Sequence, residues 1–453
     1  MKKLLSVALL LGLTSLNAST IAVIDSGVDV EHKDLLTKIW NNPIDIPNNR
    51  RDEDKNGYQD DFYGWNFAEN NNLVIDRKYI GTFSKDPYKF FDIQGRSFLG
   101  EATEADKKWV AEKRKDPDFM KEMGIFGNFV HGTHVAGITQ KANADAKILA
   151  VKLIPTEVKP FGKKSARQAE RYKNASADFR WKLLKKALKA LGEAQVTQLE
   201  EIAHYVGAHG ADVANGSFGT GFNQAKMITD NLFKVFFFRK PEADESDIAA
   251  KYFLNSLIDA GVAISEAAPD TLFVFAAGND GANNDEVPTS PTNIKADNFI
   301  SVAATYKYDF IAPFSNYGKK LVDIAAPGML IKSQIPGDEY LAVSGTSQAA
   351  PFVAKVAAMV KDANPNLTPK EIKEILMGTV DKKSFLSGKV KTSGIVNTNR
   401  AVFAGRISSS MSIREAIKEA KSKVGTMRSG LRKSKAQFNA DAIIPIPLVN
   451  TFK

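Results

Sequence analysis

Five short apolar runs, at Ile21, Ile148, Val213, Phe273 and Ile300, constrain this chain most. Each is apolar at consecutive rather than alternate positions, so a strand built from it must be buried on both faces. Segments with helical periodicity separate the runs. That alternation predicts a three-layer α/β fold, an αβα sandwich around a mostly parallel sheet. With 453 residues and 43% hydrophobic composition, the chain can fill one large core and still carry insertions or a small appendage. Sheets of this kind take ligands beyond the carboxyl ends of their strands, so the residues after each run matter.

The run Ile21–Ile24 ends in Asp25 and a Ser26-Gly27 turn, and Leu272–Ala277 ends in Gly278-Asn279. Val130-His131-Gly132-Thr133-His134 reads as a tight entry into a buried helix. In Val343–Pro351, Ser347 stands between a glycine turn and apolar residues at helical spacing from Ala349 to Val360. Pro351 is expected near the first turn, where a missing N–H costs little. Ser347 is therefore placed at a helix amino end, where unpaired N–H groups and the dipole favour a developing negative charge. Taken alone, Gly-Thr-Ser suits an ordinary N-cap equally well.

With these stretches in one chain, in the order Asp25, His131, Asn279, Ser347, the sequence resembles the subtilisin-like serine proteases, the subtilases of peptidase family S8. The likeness covers residues 21–75, 128–155, 196–219 and 270–405. It implies Ser347 as nucleophile, His131 as base, Asp25 as orienting carboxylate and Asn279 as oxyanion donor. It also implies that Ser217, Phe218 and Gly219, with Ala276, Ala277 and Gly278, line an extended protein or peptide substrate and flank its P1 side chain. Gln348 stands where a methionine is common and Phe352 where a histidine is common, departures that bear on substrate preference. The implied activity is serine endopeptidase. Two other readings are a catalytically silent binding protein on the same scaffold and a structural protein. The complete set Asp25, His131, Ser347 and Asn279 argues against the first, and the lack of repeats or low-complexity stalks argues against the second.

Met1-Lys2-Lys3, the apolar stretch Leu4–Leu16 and the small-residue end Leu16-Asn17-Ala18 together have the form of a secretory signal, residues 1–18. The apolar run is shorter than the roughly 20 residues of a spanning helix. An exported protein, periplasmic or extracellular, is expected, with no transmembrane segment. Only residues 19–24 would precede Asp25, leaving no room there for the inhibitory pro-segment that relatives usually carry. The chain has no cysteine, so stability must come from core burial or a bound ion rather than disulfides.

Asp52, Asp54, Asn56 and Asp60 alternate around Gly57 as oxygen ligands do in calcium loops, and relatives carry similar loops. Tyr63 stands where an EF-hand would need its bidentate carboxylate, and a solvated acidic turn is the alternative reading. Calcium here would be structural, with no cofactor needed for the chemistry.

Insertions are expected at about 76–127, 156–195 and 221–268 within a catalytic domain spanning 19–405. The first is rich in aromatics, leads directly into His131, and either shapes the cleft rim or packs on itself. In the second, Trp181, Leu184, Leu188 and Leu191 share one helical face with lysines opposite, as in a surface helix docking its apolar side; no specific nucleic-acid binding is inferred. His134 reads as a packed core residue, and His32, His204 and His209 lack a partner motif. Residues 406–453 hold ten Lys or Arg against three Asp or Glu, a charge of +7 that equals the whole excess of the chain once residues 1–18 are removed. This basic tail, in which Ile413 to Val424 has the pattern of a basic helix, is expected to contact acidic surfaces or, through residues 440–453, the chain's own active site.

Overall fold

A computed structural model describes residues 18–141, 145–158 and 174–428. Its centre is a ten-stranded sheet containing the five expected runs. These are β1 (Thr20–Asp25), β3 (Lys147–Lys152), β4 (Val213–Gly216), β5 (Leu272–Ala276) and β6 (Phe299–Tyr306). With β2 (Gly64–Asn66) and β8 (Ile324–Pro327) they pair parallel in the order β8-β6-β5-β4-β1-β3-β2. The antiparallel exceptions are short: β7 (Phe310–Ile311) on β6, and β11 (Asp381–Lys382) on β12 (Gly394–Ile395). A separate hairpin joins β9 (Ile331–Ile335) to β10 (Glu339–Val343).

Burial on both faces follows from the consecutive apolar residues. In β1, Ala22 and Ile24 join one cluster while Ile21 joins another on the opposite face, all at most 2% exposed. The first face is covered by α4 (Ala177–Ala208), α5 (Phe222–Phe237), α6 (Ala243–Ala260) and α7 (Val262–Ala267). On α4, Leu184 and Leu188 are buried and Trp181 meets Phe233 and Phe237 edge-on, so the basic amphipathic helix docks its apolar side on the protein itself. The other face carries α8 (Thr346–Ala363), α9 (Pro369–Gly378) and α10 (Thr398–Ile407), with α3 (Pro117–Gln140) packing Val135 and Ala136 against Val23, Ile148 and Ala150.

The strand order reverses at β1, which lies between β3 on one side and β4 on the other. The carboxyl ends of β1 and β4 therefore form a crevice at a topological switch point.

Three expectations need correction. His131 does not open a helix; it lies well inside α3, because the preceding insertion supplies its own cap. Asp116 accepts from the N–H groups of Asp118 and Phe119, and Pro117 starts the helix. The same insertion forms α1 (Asp86–Leu99) and α2 (Glu104–Lys113), and its Phe90, Phe91, Phe119 and Phe126 pack against Ile335, Leu341 and Val343 of the hairpin. It thus packs both on itself and against the body. The folded body also does not stop at residue 405. The helix α10 crosses that point, and α11 (Ile413–Lys423) buries Ala416 and Ala420. Arg400 then bonds the carbonyls of Val424, Thr379 and Val380 and pairs with Asp381 at 3.1 Å. Residues 440–453 lie outside the described residues.

Candidate active site

Asp25 ends β1 with its carboxylate buried. Its Oδ1 accepts from the Ser26 N–H at 2.7 Å and lies 2.6 Å from His131 Nδ1. A carboxylate only accepts, so the imidazole proton sits on Nδ1 and Nε2 is left as the basic nitrogen. His131 is 2% exposed, and neither its Nε2 nor Asp25 Oδ2 has a partner among the described residues. The approach of α3 to the turn after Asp25 depends on glycine. A Cβ on Gly132 would stand 2.2 Å from the Gly27 carbonyl oxygen, and Gly27 itself adopts φ +118°.

Ser347 is the second residue of α8, as its sequence predicts. Pro351 corrects the third expectation: it falls in the second turn, four residues after Ser347. Its missing N–H is the one that would have bonded the Ser347 carbonyl. Ser217 Oγ takes that place, donating to Ser347 O at 2.9 Å, and in return Ser347 Oγ donates to Ser217 O at 3.1 Å. Asn215 Nδ2 donates to Ser217 Oγ at 2.9 Å and holds the donor in line. In this resting arrangement the Ser347 hydroxyl is committed to Ser217 and not to His131.

Asn279 follows the end of β5. Its Oδ1 accepts from both the backbone N–H and the hydroxyl of Thr346, each at 2.9 Å, which orients the Nδ2 amide the other way. A Cβ on Gly345 would lie 3.6 Å from Asn279 Nδ2, 3.6 Å from Ser347 N and 2.7 Å from Gln348 Oε1. The bare glycine leaves open the space that these two N–H donors border. At the second helical position, the Ser347 N–H has no carbonyl four residues back inside α8.

Ser217, Phe218 and Gly219 continue β4 beyond its last paired residue, Gly216, until Thr220 exchanges bonds with Ser290. Ala276 closes β5, while Ala277 and Gly278 have their peptide groups already engaged. Ala277 bonds Val302 and Asn284, and Gly278 bonds Thr346 and Asn316. The Ser217 carbonyl is taken by the Ser347 hydroxyl, the backbone of Phe218 and Gly219 has no hydrogen-bond partner among the described residues, and 276–278 form a wall.

The acidic loop lies elsewhere, between β1 and β2. Carboxylate oxygens of Asp45, Asp52 and Asp54 lie within 4.8 Å of one another, an acidic group that could hold a metal ion. Asp45 Oδ2 is buried without a partner among the described residues, and burial together with neighbouring carboxylates raises the Asp45 pKa. Asn56 is adjacent, its amide donating to Asp54 and Asp61. Asp60 stands apart, both of its oxygens accepting from the N–H groups of Asn49 and Arg50. Burial would raise the Asp61 pKa, but bonds from His209, Asn42 and Tyr205 hold it low.

His134 serves packing. Its Nε2 donates to the carbonyls of Ile331 and Leu341, each at 3.0 Å, fastening α3 to the hairpin, while Nδ1 is buried with no partner among the described residues. Burial chiefly, and the nearby His131, push its pKa down to about 4. Asp45 carries no motif of its own in the sequence, while Asn215 and Thr346 stand inside the stretches around Ser217 and Ser347 with nothing local to show the bonds they make. The Ser347–Pro351 spacing is the one local signal that a carbonyl would need an outside donor.

The chain matches the profile of the Subtilase family over residues 17–402. Subtilisin Savinase of Lederbergia lenta is 30% identical over 271 residues, 60% of this chain and 77% of that protein. An alkaline protease of Alkalihalobacillus alcalophilus is 30% identical over 271 residues, which make up 54% of its length. Among solved structures, a lanthipeptide protease aligns with TM-score 0.49 at 17% identity, covering 85% of this chain and 88% of its own.

Proposed function

Because the chain belongs to the subtilase family of serine endopeptidases, we propose that it cleaves peptide bonds with Ser347 as nucleophile, His131 as base and Asp25 as the orienting carboxylate. The observation that carries this assignment is the buried Asp25–His131 contact of 2.6 Å, which leaves the imidazole Nε2 without a partner among the described residues. It lies at the end of the strand adjoining β4, and Ser217, the residue after β4, holds Ser347.

Substrate binding along Ser217–Gly219 displaces the Ser347 hydroxyl from the Ser217 carbonyl and turns it toward His131. The imidazole accepts the hydroxyl proton as Oγ attacks the scissile carbonyl carbon, and then returns a proton to the leaving amine. Asp25 keeps the Nδ1–H tautomer and stabilises the imidazolium. The tetrahedral oxygen is received by Asn279 Nδ2 and the Ser347 N–H, beside the positive end of α8. Water then hydrolyses the acyl-enzyme with His131 again as base.

Around this centre the remaining assignments are structural. Residues 1–18 act as an export leader, and the catalytic domain starts at Ser19. Asp45, Asp52 and Asp54, with Asn56 alongside, hold a calcium ion. The unpartnered buried oxygen of Asp45 suits a hard cation, which would neutralise the clustered carboxylates and supply no chemistry. The test is labelling with a serine-directed fluorophosphonate. We expect the probe on Ser347, with Ser347→Ala losing both labelling and casein hydrolysis; hydrolysis retained in that variant refutes the assignment, and a protein that never labels supports the silent binding scaffold instead.

A further inference from the structure

The first residue after the expected leader is buried. Ser19 is 2% exposed. Its backbone nitrogen donates to Asp362 Oδ1 at 2.9 Å, and its hydroxyl donates to the same oxygen at 2.6 Å and to the Ala358 carbonyl at 3.3 Å. The next N–H, of Thr20, donates to Asp212 Oδ2 at 3.0 Å. One lysine faces this pair of carboxylates: Lys361 Nζ is 3.9 Å from Asp212 Oδ1 and also donates to the Leu367 carbonyl. The site therefore holds two acids against one described cation. Burial raises the Asp212 pKa, with the Asp362 charge adding to the rise and the Thr20 N–H and Lys361 opposing it.

Ala358 and Asp362 belong to the last turns of α8, the end at which a helix dipole favours a cation. A peptide N–H at Ser19 carries no charge and offers one proton. A free amino terminus at the same position carries a full positive charge and three donors. Three features of one spot therefore ask for the second: two carboxylates, a helix carboxyl end and a nitrogen already within hydrogen-bond distance of Asp362.

We propose that Ala18–Ser19 is a processing site and that the amino group released there docks as an ammonium on Asp362 and Asp212, completing the attachment of β1. This rests on the reading of residues 1–18 as a leader, removed by the endopeptidase that clips such leaders. Water adds across the bond, hydroxyl to the Ala18 carbonyl carbon and hydrogen to the Ser19 nitrogen; the new acid's proton passes to the amine, leaving carboxylate and ammonium. The released Ala18 carboxylate departs with the leader, and the site then balances two carboxylates with two cations. Because Ser19 runs straight into Thr20–Asp25, the docked terminus anchors the strand that ends in Asp25, and the carbonyl of Ser19 is held from the other side by the Lys147 N–H. One helix, α8, then serves two charges: its amino end the nucleophile, its carboxyl end the mature terminus.

The test uses Ser347→Ala protein, which does not digest itself, prepared by tag removal so that it begins either at Ser19 or, one residue longer, at Ala18. The Ser19 form is expected to melt at least about 3 °C higher, and Asp362→Asn is expected to cancel the difference. Equal melting of the two forms, or a difference that survives Asp362→Asn, overturns the docking. Should Asp362→Asn fail to fold, periodate provides a second measurement, since it oxidises an amino-terminal serine only where the terminus is free. Oxidation of the folded Ser19 form is expected at least about tenfold slower than in denaturant, as burial requires, and equal rates overturn the proposal. Sequencing the terminus of the exported protein separates the two claims. A terminus other than Ser19 overturns processing at this bond and the leader boundary with it, whereas a Ser19 terminus with equal melting overturns the docking while the leader stands.

Discussion

Ser217 and Ser347 exchange hydrogen bonds, hydroxyl to carbonyl in both directions, at 2.9 and 3.1 Å. The cause is Pro351, which removes the helical partner of the Ser347 carbonyl and leaves a buried acceptor to be satisfied by Ser217, just beyond β4. The backbone of Ser347 is therefore positioned by the segment that follows β4 and not by its helix alone. Ser217→Ala should leave that carbonyl unpaired, a cost of about 1–3 kcal/mol in stability. It should also lower kcat by about tenfold, the equivalent of 1.4 kcal/mol of lost positioning. Thermal melting and steady-state kinetics on a peptide amide check both; an unchanged kcat would show that Ser347 is held without Ser217.

Asn279→Leu removes the amide that Thr346 orients, while Thr346 retains its bond to the Gly278 N–H. The expected result is a fall of about 10² to 10³ in kcat with little change in KM, the range known for loss of one oxyanion-hole donor in subtilisin. A loss confined to KM would mean that Asn279 binds substrate rather than the oxyanion.

His134 makes stability depend on pH. Its pKa is about 4 in the folded protein against an ordinary 6.5, so the unfolded chain binds the extra proton between those values. The contribution is fully present above pH 6.5 and is lost as pH falls toward 4, reaching about 3 kcal/mol at the limit. Urea denaturation at a series of pH values should show this slope, and His134→Gln should flatten it.

Calcium should raise the melting temperature of the full chain, by mass action on the folded state. The gain is about 2.7 kcal/mol when free calcium is a hundredfold above Kd. Asp45→Asn should reduce the gain sharply and Asp60→Asn should affect it less, because the Asp60 oxygens are spent on Asn49 and Arg50. Identical melts in calcium and in EDTA would return the loop to a plain acidic turn.

Arg400→Ala strips Asp381 of a buried partner and frees the Val424 carbonyl, so a loss of about 3–5 kcal/mol is expected. Truncation after Gly405 should destabilise the protein as well, since it removes α11 and exposes the Gly378 face on which Ile417 rests. Denaturant titration of each variant measures the cost.

The sheet and the chemical groups at its edge are legible in the order of the amino acids. Runs such as Ile21–Ile24 are apolar at every position, and only a strand covered on both faces satisfies that; Asp25, Asn279 and Ser347 then follow from their places after strands or at a helix start. Whatever depends on groups distant in the chain is fixed only when the layers pack together. His131 lies deep inside α3 because the insertion that leads into it caps the helix at Asp116, a choice invisible in the motif's own residues. The Ser217–Ser347 exchange spans 130 positions, and the Ser19–Asp362 contact spans 343. Local propensity and periodicity report only on neighbours within a few residues, whereas a hydrogen bond formed across layers is set by how the sheet and its helices close over one another. Asp45 joined the acidic cluster for the same reason: its carboxylate reaches Asp52 and Asp54 only once the loop has folded back on itself.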